Sequence, residues 1–245
     1  MMAENMFAYD ETLLQIVSPA APQSIPEVLQ ILRTVDAVLS SRDGLKWFNW
    51  LYLSVTSAIQ ATLASGRWND RQWICLLDAQ FAKFYFNALA AHLRQQPIAT
   101  CWEVLLNRRN DSALARIQFA LAGINAHINH DLPQAIVVTY RQTSLQPTHG
   151  SGEHRDFVAL NSTIDSVITQ AKGELKVRLG GDPLPPVNDL ENRLAAWSVS
   201  AAREAAWTNG EVIWGLRESL ALSNRYIQML DGMTQLASKA LLSTL

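Results

Sequence analysis

Two histidines, two asparagines and an aspartate fall within seven positions, Asn125 to Asp131, inside the segment GINAHINHDLPQAI at residues 123–136. The flanking positions are Ala, Leu and Ile. On a helix His127 and His130 stand three apart and His127 and Asp131 four apart, so the three side chains share a face about one turn apart. Imidazole and carboxylate in that pattern suit a divalent metal, zinc or iron, with other helices completing the shell. Asn125 and Asn129 are again four apart, placed for outer hydrogen bonds or a substrate, and Gly123 lets a neighbour come close. The same residues also read as a buried hydrogen-bonded network in which Asp131 caps the following helix. Five polar groups in an apolar run are costly to bury without a purpose, and that weights the segment toward a site.

Three other stretches offer partners. In WSVSAAREAAWTNGEVIWG, Trp197, Glu204, Trp207, Glu211 and Trp214 fall within an arc of about 100° at helical spacing, so indoles and carboxylates share one stripe. Glu204 is the candidate metal ligand or general base there, with Arg203 beside it to adjust its charge. Glu211 lies about 10.5 Å further along the axis, too far to join Glu204 on one ion. The ordinary alternative is a core face whose glutamates reach the rim or pair with arginines. In WICLLDAQFAKFYFNALAAH, Asp78, Tyr85 and His92 repeat at heptad spacing, and Asp78 is the one expected to join a common site; its alternative is a structural pair with an arginine. Asp156, in HRDF after a Gly-rich loop with His154, is a further candidate, or simply an acid favoured by a helix N-terminus.

The elements that must position these residues are helices. Valine and isoleucine sit in Ala/Leu-rich runs with spacings of three and four, which predicts an all-α, single-domain multi-helix bundle over residues 1–245. Helices are expected at 25–40 (Ser24 cap, Pro26 and Glu27 in the first turn), 45–65, 70–95 and 101–108. Another should start at Asp111 or Ser112 and run into the histidine segment, with a fresh start at Asp131 and Pro133 leading to 143. Long helices over 155–178 and 190–240 follow, the last bent between Asn209 and Asn224. Residues 1–22 read as an N-terminal extension, and 143–154 and 179–189 as loops.

Composition limits the function. With 20 basic and 22 acidic side chains, no positive excess is available for nucleic acid. No apolar run approaches the roughly 20 residues of a membrane span. The acidic start lacks the features of a secretory signal, so the expected location is cytoplasmic. Cys75 and Cys101 read as reduced thiols. The Rossmann and Walker glycine patterns, G-x-S-x-G and H-E-x-x-H are all absent.

GINAHINHDLP, together with WNDRQWICLLDAQFAKFYFNAL and WSVSAAREAAW, resembles an uncharacterised bacterial family of all-helical proteins, over about residues 30 to 215. That resemblance implies a helical fold and no particular activity. A fainter likeness is to zinc-dependent phospholipase C and S1/P1-type nucleases, onto whose motif His127, Asp131 and Pro133 can be laid; Gln134 and Ala135 stand where further histidines would follow. The leading expectation is a metal-dependent enzyme, a hydrolase or oxidoreductase of oxygenase type. His127, His130 and Asp131 would hold the ion, and Asp78, Glu204 and Arg203 would serve the chemistry on a small, largely apolar substrate walled by tryptophans. A metal-free acid/base enzyme of cyclase or isomerase type, and a non-enzymatic binding or scaffold protein, are the alternatives. A small-molecule substrate and a homo-oligomer are the expected partners.

Overall fold

A computed structural model describes residues 7–176 and 198–243, and every regular element in them is helical. The order is α1 (Asp10–Val17), α2 (Ile25–Val38), α3 (Leu45–Ser65), α4 (Arg71–Leu93), α5 (Thr100–Leu106), α6 (Arg116–Ala126), a π-helical turn (His127–Asp131), α7 (Leu132–Thr143), α8 (Gly152–Ala159), α9 (Asn161–Lys176), α10 (Val199–Gly215) and α11 (Leu220–Leu241). No described helix is long and apolar enough to cross a membrane.

Local chemistry sets the boundaries. Ser24 accepts from the Glu27 amide while Glu27 reaches back to the Gln23 amide, a cap that starts α2 where the sequence predicts. Asp70 accepts from the Trp73 amide and starts α4. Four expectations need correction. The N-terminal extension contains α1, whose Leu13 and Val17 are buried in the core. The helix expected from Asp111 begins at Arg116, because the Asp111 carboxylate is taken by Arg108 and the Ala113 amide in a preceding turn. The helix expected over 155–178 is two, breaking at Leu160. Asp131 does not begin a fresh helix: the chain passes through it, and its side chain makes no cap bond. The bend expected in the last long segment is real and falls at residues 216–219, whereas the loop over 179–189 lies outside the described residues.

The α6–π–α7 rod, residues 116–143, is the central element. All of α6 except Arg116 is buried. It is flanked by α3, α4, α5, α10 and α11. At Gly123 α3 comes so close that a Cβ would overlap the Phe48 ring, so the approach requires glycine. Phe48 in turn packs edge-on to Tyr85, Trp102 and His127. The rod's other side receives α11: Asn125 Nδ2 donates to Thr234 O and Ser238 Oγ, both at 2.9 Å, and Asn129 Nδ2 donates to Asn125 Oδ1. Asp231 of α11 also accepts from the Thr100 and Cys101 amides, closing the start of α5. Fully buried Arg109 pairs with Asp43 and Asp10, and the Gly44 amide donates to Arg109 O, which fastens the α2–α3 turn beneath the entry to α6.

Gly123→Ala is expected to cost about 1–3 kcal/mol through overpacking against Phe48. Thermal unfolding should show a midpoint several degrees lower, at about 2–4 °C per kcal/mol; an unchanged midpoint would contradict the close approach of α3 and α6.

Candidate functional site: a buried histidine facing an apolar cavity

The chemistry begins with the turn between α6 and α7. Pro133 brings no amide proton to the helical ladder, and the chain answers with a wide turn in which the Leu132 amide bonds His127 O, five residues back. This keeps the rod continuous while drawing both histidines onto Asp131. His127 Nδ1 lies 2.9 Å from Asp131 Oδ2, His130 Nδ1 lies 2.7 Å from Oδ1, and Trp102 Nε1 donates to Oδ2 at 3.0 Å. Burial raises the pKa of Asp131, but hydrogen bonds from His127 and His130 outweigh it and leave the carboxyl below its ordinary value. The carboxylate is therefore ionised, and the proton of a neutral His127 belongs on Nδ1. Burial, only partly offset by Asp131, holds His127 below its ordinary pKa. The His130 pKa is raised: burial lowers it, and the Asp131 hydrogen bond and charge more than compensate.

The other ring nitrogen of His127 has a different fate. Nε2 is buried and has no hydrogen-bond partner among the described residues. The ring stacks on Phe81, with centroids 3.5 Å apart and planes at 7°, and meets Tyr52 edge-on at 4.7 Å. It lines a cavity of about 60 Å³ with Tyr52, Trp73, Asp78, Phe81 and Arg203, walled further by aliphatic side chains of α3, α4 and α9. Asp78 is 7% exposed and its Oδ2 has no hydrogen-bond partner among the described residues. Burial, opposed by the more distant Arg203 charge, lifts its pKa to about 7. Arg203 enters from α10, its Nε on Asn161 Oδ1 at 2.6 Å and its Nη2 on Phe157 O at 2.9 Å. The cavity thus joins a neutral imidazole with a free lone pair, a carboxyl that exchanges its proton near neutrality, and a guanidinium.

The expected site residues are distributed unevenly around it. Asp78, His127 and Arg203 line the cavity together, and Asp131 stands behind His127. His130 touches the far oxygen of Asp131 and does not line the cavity. In the expected metal trio, both Nδ1 atoms are engaged with Asp131 itself. Asn125 and Asn129 serve the docking of α11. Tyr85 donates to Asn49 Oδ1 in the core, and Asp156 accepts from the Asn69 and Asp70 amides at the start of α4. Trp207 packs behind Trp73 at 5.7 Å, so Trp73 is the indole that reaches the cavity; Trp197 lies outside the described residues.

Glu204 belongs to a second cluster. His149 Nε2 lies 2.7 Å and His154 Nε2 3.2 Å from Glu204 Oε1, and His149 Nδ1 lies 3.2 Å from Glu211 Oε2. Ligand atoms of His149, His154 and Glu204 lie within 4.8 Å of one another. His154 Nδ1 accepts from the Gly150 amide, which puts its own proton on Nε2, toward Glu204. Hydrogen bonds to Glu211 and Glu204 raise the pKa of His149, the half-exposed member.

The sequence reading missed Tyr52, Phe81 and Trp102 because an aromatic in an apolar helix has no signature of its own. His149 carried a weak signal, five residues before His154 across a glycine-bearing turn.

These features define an all-α bundle built around a buried histidine–aspartate pair that faces an apolar cavity. The chain belongs to a family of unknown function, DUF5995, whose model matches residues 25–244. No curated protein and no solved structure matches it.

The raised Asp78 pKa has a definite sign. Between the ordinary value of 3.8 and about 7, the folded chain holds a proton that the unfolded chain has released, so this group's contribution to stability declines as pH rises through that window. Compared with Asp78→Asn, the wild type should lose up to about 1.4 kcal/mol per pH unit in the middle of the window. Parallel denaturation-against-pH curves for the two proteins would contradict it.

Proposed function

We propose that the protein is a metal-free acid/base enzyme of isomerase or cyclase type, acting on a small, largely apolar organic substrate in the cavity beneath His127. The observation that carries this reading is the unpartnered, buried Nε2 of His127, on a ring whose Nδ1–H is held by an ionised carboxylate. Asp131 fixes the tautomer and stabilises the imidazolium that forms when Nε2 takes a proton. Asp78 supplies the complementary group: near neutral pH part of its population is the acid form, able to return a proton elsewhere on the substrate. In one turnover a substrate proton moves to His127 Nε2, the released electron pair shifts to form the new bond, and Asp78 delivers its proton at the other end. His127 is then cationic and Asp78 anionic, and proton exchange with water restores both.

A second reading, a metal-dependent hydrolase or oxidoreductase, is favoured by the convergence of His149, His154 and Glu204. There a divalent ion such as zinc or iron would displace the hydrogen bonds to Glu204. The proton on His154 Nε2 would have to move to Nδ1, against the Gly150 amide, which makes this the weaker of the two.

Solvent-deuterium exchange separates them. Wild-type protein incubated in heavy water with a small-metabolite extract should isomerise or deuterate at least one compound, as read by mass spectrometry. His127→Gln should reduce that rate by roughly 10²–10⁴-fold, and exhaustive chelation should leave the wild type unaffected. Equal rates for wild type and His127→Gln, or labelling by neither, would overturn the acid/base reading. Activity lost on chelation and restored by zinc or iron would favour the second.

A further inference from the structure

Buried arginines normally meet a carboxylate, and Arg203 meets none among the described residues. Arg203 is 7% exposed, yet no carboxylate among the described residues lies within 4.0 Å of its guanidinium. Its two hydrogen bonds go to neutral oxygens, the Asn161 side-chain carbonyl and the Phe157 backbone, and its face stacks on the Phe157 ring at 3.9 Å. Arg109, the other deeply buried arginine, shows the usual arrangement, paired to both Asp43 and Asp10. The nearest acids to Arg203 act at longer range: Asp165, whose Oδ2 is held by Ser200 Oγ, then Asp78 and Glu204. Burial pushes the guanidinium down to about 10, still cationic at neutral pH. A buried cation is costly unless a counter-charge completes it.

We propose that the counter-charge is the substrate: the cavity takes a small monocarboxylate, its carboxylate paired with Arg203 and its apolar body lying along the aliphatic wall toward His127. This rests on the reading of the cavity as the active site and supplies its substrate class. Asn161 and Phe157 O fix the plane of the guanidinium through Nε and Nη2. Neither bond uses Nη1, which is left to donate to an anion. Ile74, Leu77, Ile164 and Ile168 offer nothing to a second charge, so a dicarboxylate would leave one end unpaired. A phosphate monoester, with up to two negative charges, would find a single guanidinium insufficient. The volume of about 60 Å³ limits the apolar body to a short chain of about two to four carbons.

Binding is testable without knowing the reaction, because Trp73 lines the cavity and reports occupancy by fluorescence. Propionate and butyrate should bind the wild type saturably and at least tenfold more tightly than propionamide, butyramide or propyl phosphate. Arg203→Gln should abolish that preference, whereas His127→Gln should keep it, so carboxylate binding can hold even if the deuterium-exchange experiment fails. Amides binding as well as acids, phosphates binding more tightly, or neither acid binding would overturn the proposal. The acid-against-amide comparison uses wild-type protein and stands even if Arg203→Gln does not fold.

Discussion

A single buried negative charge organises the centre of this protein. Asp131 is 2% exposed in the middle of an apolar bundle, where an uncompensated carboxylate would be prohibitive. Its oxygens are met by three donors from two elements: Trp102 from α5, and His127 and His130 from the turn that carries Asp131. Satisfying Asp131 fixes the His127 ring and leaves its far nitrogen facing the cavity. The wide turn, the continuity of α6 into α7 and the seating of α5 all serve the same compensation.

The packing around that charge separates a structural side from a chemical one. Asn125, Asn129 and Asp231 secure α11, and the Arg109–Asp43–Asp10 cluster fastens the entry to α6. In these networks every charged side chain meets an opposite charge or hydrogen-bond donors, although Arg109 Nη1 itself has no hydrogen-bond partner among the described residues. Across the rod, His127 Nε2 and Asp78 Oδ2 have none among the described residues, and Arg203 has only neutral ones. Buried polar atoms without a hydrogen-bond partner among the described residues also occur elsewhere, at Arg109 Nη1, Trp68 Nε1 and Tyr140 Oη, but around the cavity those of His127 and Asp78 stand together with the carboxylate-free Arg203, the combination a ligand could complete.

How much of this the sequence conveys depends on what each residue needs from distant elements. The helical class and the starts of α2 and α4 were legible because caps and apolar periodicity act over a few residues. The candidate residues Asp78, His127 and Asp131 were legible as polar interruptions of apolar runs, expensive to bury and so worth noticing, and Arg203 only as the cation next to Glu204 in sequence. What could not be read was the direction of each ring. Nothing in His-x-x-His-Asp says that both Nδ1 atoms turn onto the aspartate, or that Glu204 leaves Arg203's side to meet His149 and His154. The start of α6 was misplaced because Asp111, a plausible cap, is claimed by Arg108. The division at Leu160 had no glycine or proline to mark it.

The central claim, that Asp131 fixes His127 as a neutral ring with its lone pair on Nε2, is tested most directly by nitrogen-15 NMR of the histidine side chains, assigned with His127→Gln. The expected result is an Nδ1–H tautomer for His127 that becomes charged only at a pH below that of an ordinary imidazole. An Nε2–H tautomer, or a ring that becomes charged near its ordinary pKa, would contradict it.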